Sequence, residues 1–193
     1  MELPRTTTTA PLGRRAFAAR GLGALAGLTA AVALTSVTAA PAARAKGQAG
    51  AAAQGNWRFC TKCYVMFFWG FSDDGHCAAG GAHTQAGYNF VLPHDVPETG
   101  NAQANWRFCS KCYGLFFFGY PSGGWCPTGG SHYAAGYNFV IPHDVAETPS
   151  AQAYWRFCTT CYVMFFWGYP EKGRCPNGNG HNAAGFNFVI PHT

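Results

Sequence analysis

The residues that could do chemistry here are nine cysteines and a recurring histidine. Cys60 and Cys63 are separated by two residues, Cys77 follows after thirteen more, and His83 after a further five. Cys109, Cys112, Cys126 and His132 repeat this spacing, as do Cys158, Cys161, Cys175 and His181. Thiolate sulfur and imidazole nitrogen are donors that zinc prefers, and a structural site takes four of them as a tetrahedron. Two cysteines on one tight turn present both sulfurs to a single ion, and the later Cys and His, returning through a glycine-rich stretch, complete the shell. Each set thus reads as a Cys3His site for one Zn2+. Its role would be structural, because four protein ligands leave no position for water or substrate.

Disulfides are the competing reading, since exported proteins favour them. Nine cysteines, three to a set, leave at least one without a partner in the chain, whereas metal accounts for all nine. A redox-active Cys-x-x-Cys lacks the βαβ surroundings such a motif usually occupies. A second histidine set, His94, His143 and His192, follows proline in each case. One of these could replace His83, His132 or His181 as ligand, or they could hydrogen-bond at strand ends.

The elements that must position these groups recur with the same period. A shift of 49 residues superposes Trp57 on Trp106 and Trp155 without a gap, and the closing Asn89 to His94 on Asn138 to His143 and Asn187 to His192. The expected organisation is repeats over 53–95, 96–144 and 145–193, behind a flexible leader over 46–52. Trp57-Arg58-Phe59 alternates apolar and polar, Tyr64 to Phe71 is an aromatic and β-branched run, and Tyr88 to Leu92 is a third strand candidate, with glycines between. No 3.6-residue apolar period is sustained, so the fold class is all-β. Two architectures fit: three units closed with pseudo-threefold symmetry, or three independent beads.

The aromatic run has two apolar faces, Tyr64, Met66 and Phe68 on one and Val65, Phe67, Trp69 and Phe71 on the other. Such a strand is buried between layers or leaves one face for a partner. Sixteen Phe, nine Tyr and six Trp are many for three small cores, so some rings should be exposed for contact. Trp69, Phe118 and Trp167, each before a glycine and a variable turn, are the candidate ligand-contact rings, with Asn89, Asn138 and Asn187 either as hydrogen-bonding partners at the rim or as residues that brace a turn. Trp57, Trp106 and Trp155 read as core.

The formal charge of +5 is unevenly placed. Five arginines and one acid precede Lys46, which leaves eight basic and seven acidic residues from Lys46 onward. A nearly neutral repeat region is a poor match for phosphate backbones, which argues against nucleic acid as a partner. The basic segment, 1–45, has Arg14-Arg15-Ala16-Phe17, a mild apolar run from Gly21 to Leu34, and Ala43-Arg44-Ala45 as a small-x-small cleavage site. It resembles a twin-arginine export signal, although Gly13 stands where Ser or Thr is commoner. That resemblance implies a secreted protein that folds before export, loads metal in a reducing compartment, and keeps no stable membrane insertion after cleavage.

The Cys3His sets resemble zinc-ribbon and zinc-knuckle units, and the whole Trp-Arg-Phe-Cys-x-x-Cys…Cys-x5-His repeat resembles tandem cysteine-rich modules of secreted bacterial proteins. Three units of this length also resemble the plan of a β-trefoil, which carries a fold-level analogy to lectins. The leading functional expectation is a non-catalytic binding protein for an extracellular glycan or cell-wall polymer. A structural or adaptor subunit docking onto another secreted protein is the alternative, as is a disulfide-stabilised scaffold. Catalysis has little support: Asp95 and Asp144 become Thr193 in the third copy, and no nucleophile elbow or His-Glu-x-x-His pattern occurs.

Overall fold

The computed structural model describes residues 52–193; the segment with the twin-arginine pair and its cleavage site lies outside the described residues. The described residues contain strands and no helix, as the absence of a 3.6-residue period requires. Each repeat forms one three-stranded antiparallel sheet with its first strand in the middle. The strands are β1 (Ala53–Cys60), β2 (Met66–Phe68) and β3 (Gln85–Pro93), then β4 (Ala102–Cys109), β5 (Leu115–Phe117) and β6 (Ala134–Pro142), then β7 (Ala151–Cys158), β8 (Met164–Phe166) and β9 (Ala183–Pro191).

β1 pairs Trp57 with Phe68 of β2 on one side and with Phe90 of β3 on the other. The register against β3 shifts between Gln54 and Trp57. Of the two residues in that gap, Gly55 and Asn56, the second has φ 64°, and its counterparts Asn105 and Tyr154 have 66° and 67°. This is the left-handed region, and a bulge there removes a backbone N–H from the ladder. The freed N–H of Asn56 donates to Asn89 Oδ1 at 2.8 Å; those of Asn105 and Tyr154 donate to Asn138 and Asn187 Oδ1 at 2.9 Å. The side-chain oxygens of the three asparagines, expected either at a ligand rim or bracing a turn, are engaged in bracing strand bulges.

The aromatic strand is shorter than the run that suggests it. β2 covers Met66–Phe68 instead of Tyr64 to Phe71. Tyr64 closes the cysteine turn at φ 67°, which breaks extended geometry on one side. On the other, Gly70 passes beneath the Phe68 ring so closely that any Cβ would overlap it. The alternation of faces holds within these limits. Val65 and Phe67 enter one buried cluster together with all nine cysteines, while Met66 and Phe68 enter a second with Trp57, Trp106 and Trp155. Both clusters draw on all three units. A 49-residue unit is too small to build a comfortable apolar core by itself, so pooling the interiors is the physical remedy.

Backbone hydrogen bonds tie each unit to both of the others through equivalent positions. Phe68 N–H donates to Tyr113 O, Phe117 N–H to Tyr162 O, and Phe166 N–H to Tyr64 O, each at 2.9 Å. At the ends of the third strands, Asp95 N–H donates to Asn138 O and Asp144 N–H to Asn187 O at 2.8 Å, and Thr193 N–H returns to Asn89 O at 2.9 Å.

Candidate metal centres

Each cysteine-histidine set converges. β1 ends at Cys60, and a tight turn brings Tyr64 N–H to Cys60 O at 2.8 Å and Cys60 N–H to Val65 O at 3.0 Å, which aims Cys60 and Cys63 inward together. The loop between β2 and β3 carries Cys77 and His83 back over them. The ligand atoms of Cys60, Cys63, Cys77 and His83 all lie within 4.8 Å of one another, all four residues are buried, and both other sets do the same. All nine cysteines are free thiols.

The distances fit a tetrahedral ion. Bonds of about 2.3 Å to sulfur and about 2.0–2.1 Å to nitrogen imply tetrahedron edges of about 3.8 Å between sulfurs and about 3.5 Å between sulfur and nitrogen. Cys60 Sγ and Cys77 Sγ are 3.9 Å apart. Cys63 Sγ lies 3.5 Å from His83 Nδ1, and the pairs Cys112–His132 and Cys161–His181 are each at 3.4 Å. The three buried Cys3His sites can each hold one metal ion.

The electrostatics of the donor set point the same way. Burial first, then the sulfurs of Cys60 and Cys77, pushes the Cys63 thiol well above its ordinary pKa. Hydrogen bonds from Cys63 and Cys77 pull Cys60 far below its own. Burial opposes a charged His83, yet the hydrogen bonds and charges of Cys60 and Cys77 outweigh it and raise its pKa to about 9; His132 reaches about 9 by the same balance with Cys109 and Cys126. Three thiols this close cannot all ionise against one imidazole. A divalent cation at the centre removes the conflict by favouring thiolate at all three.

The far nitrogen of each histidine is held by the next unit. His83 Nε2–H donates to Cys112 O, His132 Nε2–H to Cys161 O, and His181 Nε2–H to Cys63 O, each at 3.0 Å. A metal-ligating histidine needs such a partner to fix its tautomer and ring orientation. Here the partner is the carbonyl of a cysteine that belongs to the neighbouring set, so the three centres are linked head to tail. Gly75, Gly124 and Gly173 make room for these links. They have φ of 63°, 68° and 64°, and a Cβ on any of them would come within 2.5 Å of the same three carbonyl oxygens. Phe67, Phe116 and Phe165 stack on the three imidazoles at 4.4, 4.8 and 4.6 Å.

The second histidine set lies elsewhere. His94, His143 and His192 stack on Tyr137, Phe186 and Tyr88 across the unit boundaries, each at 3.7 Å. His94 and His143 also donate Nδ1–H to Asp95 and Asp144 Oδ2 at 3.0 Å. Of the expected contact rings, Trp69, Phe118 and Trp167 are 40%, 49% and 37% exposed. Arg58 lies over Trp69 at 5.3 Å, and Lys172 Nζ covers Trp167 at 3.7 Å, so two of the three already carry a cation on one face.

Spacing pointed to the twelve candidate ligands but to none of the backbone carbonyls that orient the histidines. The available signal was the recurrence of Gly75, Gly124 and Gly173 two residues before each third cysteine. The chain has no match among family models, curated proteins or solved structures, so these centres are characterised by their own geometry alone.

Proposed function

We propose that the protein is a secreted, non-catalytic binding protein whose units are stapled by one Zn2+ each and whose exposed aromatic residues engage an extracellular glycan or cell-wall polymer. The observation that carries this reading is the division between interior and surface. Each candidate metal centre is buried and offers four protein donors, which fills a tetrahedral shell and leaves no coordination site for a reactant. Activity is then left to the surface, where Tyr, Trp and Phe rings stand exposed in all three units. Aromatic faces with neutral hydrogen-bonding neighbours suit sugar rings, and repeated weak sites gain by avidity on a repetitive polymer. The leader's resemblance to a twin-arginine signal supports export.

The test is co-sedimentation of the zinc-loaded protein with insoluble chitin, cellulose and peptidoglycan. Depletion from the supernatant by at least one polymer is expected. No depletion by any of them, together with a stable complex with another secreted protein in culture fluid, would replace the glycan reading with the adaptor one.

A further inference from the structure

Away from the metal centres, the unit boundaries form three related grooves. One lies between the first and third units, over the buried ring of Phe90, with Phe59, Tyr88, Phe166, Tyr169 and Gln152 around it. The same positions recur between the second and first units, where Phe108, Tyr137, Phe68, Phe71 and Gln54 surround Phe139. They recur again between the third and second, where Phe157, Phe186, Phe117, Tyr120 and Gln103 surround Phe188. No lining residue of any groove carries a charge.

We infer that these grooves are saccharide-binding sites, one neutral sugar ring to each, and that the groove bearing Tyr88 and Tyr169 is the principal one. This rests on the glycan reading above and relocates its site from Trp69, Phe118 and Trp167 to the unit boundaries.

The chemistry of the lining carries the assignment. No lining side chain is charged, and the cations beside the grooves donate to backbone carbonyls of lining residues, Lys172 to Tyr169 O, Arg107 to Gly136 O and Arg156 to Gly185 O. These walls therefore suit a neutral ligand better than an ionic one. The floor and walls are aromatic, which suits the C–H face of a pyranose. The rim is polar: Gln152 Oε1 accepts the Trp155 Nε1–H at 3.1 Å, so its amide nitrogen is the end left to donate outward. Gln103 and Gln54 are held by Trp106 and Trp57 in the same way, at 3.1 and 3.2 Å. Tyr88 is pre-positioned, since His192 covers one of its faces at 3.7 Å, leaving its other face and its hydroxyl for the groove. Tyr169 is held against Phe166 at 5.2 Å and Phe59 at 6.0 Å. Rings fixed before binding lose little entropy when a ligand arrives.

The ranking follows from substitutions among the copies. The first groove has a volume of about 310 Å3 and two phenol hydroxyls, from Tyr88 and Tyr169. The second has about 230 Å3 and one hydroxyl, since Phe71 takes the place of Tyr169. The third has about 150 Å3 and one hydroxyl, since Phe186 takes the place of Tyr88. All lie at or below the low end of the about 300–1,000 Å3 usual for drug-sized ligands, which is room for a ring and not for a peptide helix.

The experiment measures binding of the full zinc-loaded protein to insoluble chitin, cellulose and peptidoglycan, with metal content and melting temperature as controls for folding. Tyr88→Ala with Tyr169→Ala, at positions each 48% exposed, changes surface and not core. It is expected to weaken binding about tenfold or more, as loss of aromatic anchors does. Tyr88→Phe with Tyr169→Phe is expected to give a smaller loss by removing only the hydroxyls. Substituting Trp69, Phe118 and Trp167 by alanine is expected to leave binding within about twofold of the parent. The reverse order, with the groove variants unaffected and the triple variant inactive, would overturn the groove assignment and leave the glycan reading intact. A parent protein that binds none of the three polymers would overturn both.

Discussion

The cysteine-lined interior and the groove rims are built from the same repeat, yet they differ in how far the copies have diverged. Around the centres the units are nearly interchangeable: three cysteines, one histidine, the stacked phenylalanine, the glycine beneath the cysteine carbonyl, and the same Nε2–H···O link at 3.0 Å. At the rims Tyr88 and Tyr137 give way to Phe186, and Tyr120 and Tyr169 to Phe71. The difference follows from constraint. Each centre depends on a carbonyl from the next unit, so a change in one would misplace a ligand in another, and sameness there is a condition of the fold. A rim residue touches solvent on one side, and a lost hydroxyl changes what can bind there without disturbing the interior.

The largest effects should come from breaking the interior. Removal of metal by a strong chelator, or Cys112→Ser, is expected to abolish the cooperative thermal transition and not merely lower it. Structural zinc contributes about 10–16 kcal/mol in small zinc-dependent folds, more than a domain of this size can spare. Serine keeps the backbone carbonyl that orients His83, but without metal the turn that holds this carbonyl is displaced, so circular dichroism of the variant should show loss extending beyond the second unit. Retention of two intact units with two bound ions would show the centres to be independent. Acid acts in the same direction. The metal-free thiols bind more protons than the metal-bound thiolates, so stability of the bound form falls as pH falls. Metal release followed across a pH titration should therefore be accompanied by proton uptake.

A smaller loss is expected when the aromatic cluster is cut. Trp106→Ala removes a fully buried ring that packs edge-on against Phe188 and at a tilt against Phe117; such changes cost about 3–5 kcal/mol, to be read from denaturant unfolding. Gly124→Ala is a sharper probe of the link between centres. It places a Cβ against Cys161 O and forces alanine into φ 68°, for which about 1–3 kcal/mol is expected. A weakened metal affinity of the His132 site should accompany it, because the displaced carbonyl is the acceptor for His132.

Much of this was legible in the residues. Cys-x2-Cys and its returning Cys and His marked the twelve residues that converge into sites able to hold a metal, and the exact 49-residue period marked the units, because both leave their signature in side-chain identity. The alternation of Val65, Met66, Phe67 and Phe68 between two faces also read correctly, since each face meets its own buried cluster. What escaped depends on the backbone. The bulge at Asn56 is a matter of φ, and although a bracing role for Asn89 was one of its two readings, nothing in the sequence names the N–H thirty-three residues earlier as its partner. The strand around Phe67 stops short because Tyr64 takes φ 67°, a conformation usually left to glycine, and its ring is packed against Phe59 at 5.4 Å. The boundary grooves escaped for a related reason: their walls come from different units, and no spacing within one repeat brings Tyr88 beside Tyr169.

The smallest predicted effect concerns one of the places where the interior copies differ. Val65 and Val163 face Gly114 in the second unit, and a Cβ on Gly114 would meet Val65 at 3.4 Å, Cys112 Sγ at 3.5 Å and Val163 at 3.8 Å. These are contacts and not overlaps, so Gly114→Ala is expected to stabilise by about 0.4–1 kcal/mol, chiefly by restricting the unfolded chain. A destabilisation seen in the melting temperature would mean that the interior tolerates even less variation than the comparison supposes.

The most direct test of the account is native mass spectrometry of the purified protein, followed by alkylation of its thiols under denaturing conditions. Three bound zinc ions, lost together on acidification, and nine alkylated cysteines are the expected result. A metal-free protein with few alkylated cysteines would contradict it, because the sulfurs would then be joined in disulfides and the three centres could not be what holds the units together.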